Sequence, residues 1–446
     1  MYSNFLNIQK SKNLKQMKKQ VFVIGLDPFN LKKLQRIPGA EECEFLPALE
    51  ISEMRQVENF DMEQLIQTCF DRIDKHGKID AIVSYYDFPG TTLVPIIAEK
   101  YGLPGPSLES IMKCENKYWS RLEQSKVISD HIPVFKAFDP FKKDVYKELG
   151  MVAPYWIKPI KSFRSFLAYR VNGEAQFYEN MEEVKKHINF ISEPFNYVMK
   201  RFNMPQEFAE MEEKCIAESP ITGHQCTVEG YVYNGNVVVY GIVDSIREGD
   251  RSSFGRYEYP SSLPQEIQFR MADVSRRAVS QLGLDNSPFN IEYFYNQTAD
   301  EVYFLEINPR ISQAHTDIFE KVHGISHHYI MLSLALGNKP KTMDMNGEFN
   351  KAANFMLRTF NSGTVKKAPT EDEIKILKKF IPGLEIKLQV KNGIHLKELQ
   401  GQDSYSFELA NIFIGGRDQR ELVDKYNQCV DGLTFNIEYD ETTHLH

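Results

Sequence analysis

Phe289-Asn290-Ile291-Glu292-Tyr293-Phe294, a polar turn through Asn296 to Asp300, and Val302-Tyr303-Phe304-Leu305-Glu306-Ile307-Asn308-Pro309-Arg310 say more about this chain than any other stretch of it. Two runs rich in aromatic and β-branched residues, separated by turn residues, predict an antiparallel hairpin. The hairpin carries few charges, and Glu292 and Glu306 are each flanked by large apolar residues. A carboxylate desolvated in that setting needs a cation partner. On adjacent strands the two acids project to one face, and Asn308, two residues beyond Glu306, shares it because side chains alternate with period two. Three oxygen ligands so placed suit magnesium, which keeps several waters and bridges substrate phosphates. Arg310, a further two residues along, is placed to hold those phosphate oxygens. The competing reading is a structural network in which both glutamates pair with Lys or Arg.

Upstream of the hairpin, residues 21–25 and 79–85 read as buried strands, and residues 91–101 carry apolar side chains at helical spacing before Gly102-Leu103-Pro104-Gly105-Pro106 ends the run. Strands alternating with helices imply a parallel sheet. Residues 20–112 are therefore expected to form an open α/β domain, without the GxGxxG fingerprint of a dinucleotide site. Residues 113–340 form the next unit, with a helix over 116–127 and a strand over 155–158 that stops at Pro159. Hairpins are expected around Asn172-Gly173 (168–171 with 175–178) and around Asn234-Gly235 (228–233 with 237–243). Between them 206–214 reads as a short acidic helix. Ile267, Met271, Val274, Ala278 and Leu282 then recur at helical spacing, with Gly283 as the C-cap. Residues 341–446 alternate short strands (354–360, 384–390, 405–413, 434–438) with turns, as a mixed α+β unit.

A chain of 446 residues is too long for one ordinary core. Its 42% hydrophobic and 26% charged residues are those of a globular protein, which excludes a disordered or membrane class. A net charge of −8 argues against a sequence-independent grip on nucleic acid, which needs clustered Lys and Arg. The basic run Lys10, Lys12, Lys15, Lys18 and Lys19 has no apolar segment beside it, so residues 1–19 read as a solvated tail rather than a targeting signal. Six cysteines without a CxxC pair read as reduced structural thiols in a cytoplasmic protein. A homodimer is the default assembly.

Taken together, the motifs resemble those of the ATP-grasp superfamily, from about residue 20 to the C-terminus. The metal signature of that family is a Glu on one strand followed by Glu-x-Asn-x-Arg on the next, and Glu292 with Glu306-Ile307-Asn308-Pro309-Arg310 matches it without a gap. Lys117, in Glu-Asn-Lys-Tyr, and Lys158, in Ile-Lys-Pro, resemble the two family lysines that contact ATP phosphates and adenine. Glu218 resembles the hinge position at the adenine end. In Gly223-His224-Gln225 the family usually has Gly-x-Glu, whose Glu binds ribose; Gln225 keeps both donor and acceptor capacity. Glu229 matches a family carboxylate of less fixed role. The segment 159–166 stands where the family has a Gly- and Ser-rich phosphate-covering loop, and it contains no glycine; Lys161, Ser162, Arg164 and Ser165 are its polar residues. The resemblance implies an ATP-grasp fold with an N-terminal open parallel α/β (pre-ATP-grasp) domain and a C-terminal mixed α+β domain. It also implies ATP as cofactor, with magnesium or in its place manganese.

Within the superfamily the chain resembles the carboxylate–amine ligases of the amino-acid and dipeptide type. That resemblance implies small-molecule carboxylate and amine substrates, an acylphosphate formed with release of ADP, and an amide formed as the amine displaces phosphate. Neither nucleic acid nor membrane is an expected partner, and Arg310 is the expected catalytic residue. One rival is a biotin carboxylase, whose Arg-Ile-x-x-x-His segment Arg310-Ile311-Ser312-Gln313-Ala314-His315 resembles in part. That family has a glutamate base before the His, where this chain has Ala314, and no Met-Lys-Met carrier sequence is present. A second rival is a nucleotide-binding regulatory protein without turnover, motivated by the glycine-free loop. His315 reads equally as a substrate-site or an ordinary residue, and His327-His328 as neither ligand nor base. Arg247, Arg251 and Arg256 are candidate anion clamps, with Arg256 first among them.

Overall fold

Val21, Phe22, Val23 and Ile24 are apolar without alternation, a pattern that suits a strand covered on both faces. The computed structural model describes residues 18–54, 61–162, 166–209, 211, 213–247, 253–399, 402 and 406–444. In it these four side chains are no more than 2% exposed. They belong to β1 (Lys19–Leu26), which pairs in parallel with β2 (Cys43–Glu50) and β3 (Ala81–Ser84), in the order β2-β1-β3. The strand expected over 79–85 is shortened to its four fully buried residues. β2 carries no sequence signal because Pro47 and its charged residues break the apolar run, and an edge strand tolerates both. The helix Gly90–Tyr101 forms as expected and ends on Gly102 at φ 64°.

The next sheet contains β4 (Phe135–Phe138), β5 (Tyr155–Pro159), β6 (Tyr169–Val171) and β7 (Cys215–Glu218), antiparallel and in the order β4-β7-β5-β6. The hairpin expected around Asn172-Gly173 does not form. Gly173 is extended, at φ 179°, instead of left-handed, and the chain continues into the helix Glu174–His187. Phe177, Met181 and Val184, spaced by four and three, form its buried stripe, at most 1% exposed. A short strand and a helix start can share the same Asn-Gly punctuation, and the apolar period beyond it decides which follows. The helix expected over 116–127 forms as Lys117–Ser125, capped by the Asn116 side chain, which accepts from the Trp119 N–H at 2.9 Å; a separate helix, Leu108–Glu115, precedes it. Of the helix expected over 206–214, Gln206–Ala209 forms a short helix, and residues 210 and 212 lie outside the described residues.

The largest sheet has eight strands. β8 (His224–Tyr233), β9 (Asn236–Arg247), β10 (Phe254–Tyr259), β11 (Ser287–Asn296), β12 (Glu301–Asn308) and β13 (Lys351–Thr359) join β15 (Glu385–Leu388) and β16 (Phe407–Gly416) in the order β12-β11-β8-β9-β10-β13-β16-β15. β14 (Asn361–Lys367) pairs separately with β17 (Asn436–His444). Backbone pairing thus runs across residue 340, through β10 and β13. Asn234 (φ 49°) and Gly235 (φ 75°) make the tight β8–β9 turn their sequence predicts. The helix Gln265–Leu282 buries Ile267, Met271, Val274, Ala278 and Leu282 in one cluster with Phe289, Ile291 and Phe304 of the β11–β12 hairpin. Helix packing therefore fixes the apolar face of that hairpin. Among the described residues no helix is long and apolar enough to cross a membrane. Residues 1–17, three residues of the glycine-free loop (163–165), Arg251 and Tyr405 lie outside the described residues.

The helical stripe gives a direct test. Phe177→Ala should lower the unfolding midpoint by the equivalent of about 3–5 kcal/mol, the usual cost of emptying an aromatic core site. Tyr178→Ala, at a position 37% exposed, should stay within about 0.5 kcal/mol of wild type. Equal effects in denaturant titrations would contradict the helix.

Candidate functional site

The β11–β12 register sets Glu292 directly opposite Glu306 and Asn290 opposite Asn308. A bulge follows, because Tyr293 pairs with Phe304 and skips Leu305. The skipped Leu305 carbonyl accepts a hydrogen bond from Arg121 Nη2. Burial pushes the Glu292 pKa up, the facing Glu306 carboxylate adds to this, and Arg310 partly offsets it. Two acids placed so that each opposes the other's charge are the electrostatic complement of a cation. Asn308 donates through Nδ2 to Asn290 Oδ1 (3.1 Å), and Asn290 donates to the Arg310 carbonyl (2.9 Å). These bonds fix the amide so that its oxygen is the remaining ligand atom. Among the described residues no third Asp, Glu, His or Cys completes a cage around this pair. Two carboxylates and an amide oxygen fit a hard cation that takes its other ligands from water or phosphate.

Three lysines line the same cavity as the acids, and Lys117 faces the acids directly. Lys117 Nζ lies 3.6 Å from Glu306 and donates to the Ser162 carbonyl at 2.7 Å. Burial lowers its pKa, Glu306 works against this, and Lys158 and Lys161 lower it further. Lys158 Nζ pairs with Glu218 at 2.6 Å. Arg121, 3% exposed, pairs with the other oxygen of Glu218 at 2.7 Å. Burial opposes the charge on Glu218, yet Arg121 and Lys158 overcome it and hold the carboxyl at about 2. Lys161 forms a buried ion pair with Glu115, which also accepts from Thr91, and its ammonium lies 5.0 and 5.2 Å from the Phe88 and Phe195 ring centres.

Gln225 links two charged groups, donating to Glu292 at 3.0 Å and accepting from Arg247 at 2.8 Å. Arg310 is held by both oxygens of Asp87, with Nη2 at 2.9 Å from Oδ2. Asp87 comes from the loop after β3, so the N-terminal sheet positions the arginine. Arg256, first of the candidate clamps by sequence, pairs with Glu258 at 2.6 Å instead, while Arg247 lines the site.

All eight residues expected at the site, Lys117, Lys158, Glu218, Gln225, Glu292, Glu306, Asn308 and Arg310, line one cavity of about 830 Å³. The loops of the N-terminal sheet supply Tyr86 and Asp87, and the C-terminal strands supply Asn354, Arg358 and Lys387. Sequence missed Arg121 and Asp87, and it placed Lys161 in the phosphate-covering segment without showing its ion pair with Glu115. A lone arginine in a helical stretch carries no signal that it is buried, as Arg121 is, and Asp87 lies 223 positions from its partner. His315 also lines the cavity, and its Nδ1 lies 2.7 Å from Glu229 Oε1.

The Glu218 pair has a measurable acid limb. Its carboxyl lies below its ordinary value near 4.5, so its contribution is present above pH 4.5 and disappears as pH falls towards about 2. Glu218→Gln should cost about 3–5 kcal/mol at neutral pH by leaving Arg121 and Lys158 uncompensated. Its melting temperature should then fall less steeply than wild type between pH 4.5 and pH 2. Parallel pH profiles in thermal melts would show that this pair does not carry the linkage.

Residues 151–317 match the family model described as an ATP-grasp domain. Urea amidolyase of Saccharomyces cerevisiae (strain ATCC 204508 / S288c) is 26% identical over 183 residues, which are 40% of this chain and only 10% of that protein's length. Among solved structures, the L-amino acid ligase from Bacillus licheniformis superposes with a TM-score of 0.70 at 17% identity, over 95% of this chain and all of that one. The biotin carboxylase domain of the 2-oxoglutarate carboxylase from Hydrogenobacter thermophilus, determined with MgADP, ADP and bicarbonate, superposes with a TM-score of 0.61 at 15% identity, over 95% and 92% of the two chains. Identities this low speak for the fold alone: residues 151–317 match an ATP-grasp domain, and the chain as a whole shares the fold of these structures.

Proposed function

We propose that this protein is an ATP-dependent carboxylate–amine ligase, forming an amide through an acylphosphate with release of ADP and phosphate. The observation that carries the reading is the in-register opposition of Glu292 and Glu306 beside Asn308, Lys117 and Arg310 on one cavity. In this reading Glu292, Glu306 and Asn308 hold magnesium, or manganese in its place. When bound, the metal neutralises phosphate charge during transfer. Lys117 and Lys158 hold phosphate oxygens, and Glu218 orients Lys158. Ser219 and Ile221 continue from Glu218 along the cavity wall, on the side assigned to adenine. Gln225, committed to Arg247 and Glu292, acts by steadying Glu292 as well as by any contact with ribose.

Arg310 meets the transferred group. Asp87 and the Ile311 carbonyl occupy part of its guanidinium, which has further N–H donors for a phosphoryl or acyl oxygen. Such preorganised donors work best in a dry site, where charge development needs no solvent rearrangement. The fold is shared with carboxylases, so the acceptor chemistry has to be argued from the site. Ala314, immediately before His315, offers only a methyl group, and its carbonyl is taken by Asn354 Nδ2 at 3.0 Å. No base stands at that position to deprotonate bicarbonate. An acylphosphate route starts from a carboxylate that is already ionised.

Glu292→Ala and Glu306→Ala should each reduce ADP release at least about 10²-fold, because a lost metal ligand forfeits several kcal/mol of charge stabilisation. Their melting curves should stay close to wild type, and near-normal turnover in either variant would remove the metal assignment. Lys158→Met should weaken ATP binding in calorimetry. For the reaction class, a panel of carboxylates with hydroxylamine should yield a hydroxamate whose mass identifies the carboxylate. Carboxylation of free biotin by bicarbonate and ATP, with no carboxylate–amine pair raising ADP release, would replace the ligase reading by a carboxylase. ATP binding without ADP release under any condition would replace it by a regulatory protein.

A further inference from the structure

Glu229 is a carboxylic acid with no exposure, on β8 opposite Asn290 of the site hairpin. Histidines stand on two sides of it: His315 Nδ1 at 2.7 Å from one oxygen and His327 Nδ1 at 3.9 Å from the other. Tyr240 Oη lies 3.5 Å from the second oxygen, and the Ser312 backbone N–H also donates to the carboxylate. His327 is tied off behind it by Thr316 Oγ1 at 3.1 Å and the Ser312 carbonyl at 2.9 Å. His315 is different. Its ring edge-packs on Tyr257 with centroids 4.9 Å apart, its Nδ1 is committed to Glu229, and the residue lines the cavity. Among the described residues no hydrogen-bond partner is found for its Nε2.

A buried acid costs several kcal/mol unless its charge is balanced. Here burial pushes the Glu229 carboxyl up to about 7, with His327 and Arg310 working against it. Burial, and then the Arg310 charge, bring the His315 imidazole down to about 3. His315 disfavours its charged form and Glu229 sits between its two forms, so with Glu229 ionised the pair is suited to taking up one extra proton and holding it on the carboxyl. Arg310, Tyr240, Tyr257 and His327 are the titratable or charged groups around the pair.

We infer that His315 is the proton acceptor for the amine, with Glu229 as its positioning and proton-holding partner. The inference rests on the ligase reading and concerns its second step. The amine nitrogen forms a bond to the acyl carbon, and the bond from that carbon to the phosphate oxygen breaks. Phosphate leaves with that electron pair. The surplus proton on nitrogen passes to His315 Nε2, and the Nδ1 proton passes to Glu229. No other reactant is needed.

The two nucleophiles of the trapping assay separate this step from the first. Hydroxylamine is weakly basic and attacks without much help from a base, whereas an alkyl amine needs its proton removed as it attacks. His315→Gln and Glu229→Gln, close to isosteric, should therefore lower amide formation about 10²-fold or more while hydroxamate formation remains within a few-fold of wild type. Thermal melts and ATP titration check that both variants are folded and load nucleotide. Loss of amide and hydroxamate in equal proportion would make His315 structural, and an unchanged amide rate would make it a bystander; either result overturns the inference while leaving the ligase reading intact. Failure of the wild-type protein to give hydroxamate from any carboxylate overturns the ligase reading, and this inference with it.

Discussion

The repulsion between Glu292 and Glu306 is the constraint to which the rest of the site answers. Two carboxylates set in register across adjacent strands, under an apolar hairpin, are destabilising unless something positive stands near them. Lys117 and Arg310 supply part of that charge. Both are themselves tethered, Lys117 to the Ser162 carbonyl and Arg310 to Asp87, so neither can collapse fully onto the acids. The arrangement stays short of neutral at its centre, and that imbalance suits a divalent ion carrying phosphates.

The same ion pairs hold the parts of the chain together. Asp87 belongs to the N-terminal α/β region and Arg310 follows the end of the β11–β12 hairpin. Lys33, 4% exposed, reaches Asp317 and Glu320 on the helix Thr316–His323, a second buried fastening between the same regions. Arg121 ties the four-stranded sheet, through Glu218, to the Leu305 carbonyl of the eight-stranded one. A buried pair of this kind is weak evidence for added stability but strongly penalises loss of one partner. Each therefore acts as a registration device between the parts whose residues line the cavity.

Glu229 shows the other use of a buried charge. The structural pairs are each matched by a cation, whereas Glu229 is answered by two imidazoles and a phenol, none of which holds a full positive charge in that environment. The consequence is a group poised between protonation states rather than locked in one. Perturbed groups of this type gather at reacting centres, and this one stands one side chain away from the cavity.

Lys117, Lys158, Glu218 and Gln225 were legible only through the family resemblance, whereas local pattern by itself determined the β11–β12 hairpin with Glu292, Glu306, Asn308 and Arg310 along it, the Asn234-Gly235 turn and the helix capped by Gly283. Each of these is written in residues a few positions apart, where strand and helix periods and turn preferences act directly. The Asn172-Gly173 segment marks the limit of that logic, since its turn signal was overridden by the Phe177, Met181 and Val184 stripe packing into a core. β2 was equally hidden, because its edge position tolerates Pro47 and charges that a central strand would not. Only the tertiary structure decided which charges meet: Arg310 with Asp87, Arg121 with Glu218 and His315 with Glu229. Those pairs join residues 86 to 223 positions apart, and the energy that selects them arises from desolvation in the folded interior, which no local stretch of sequence can express.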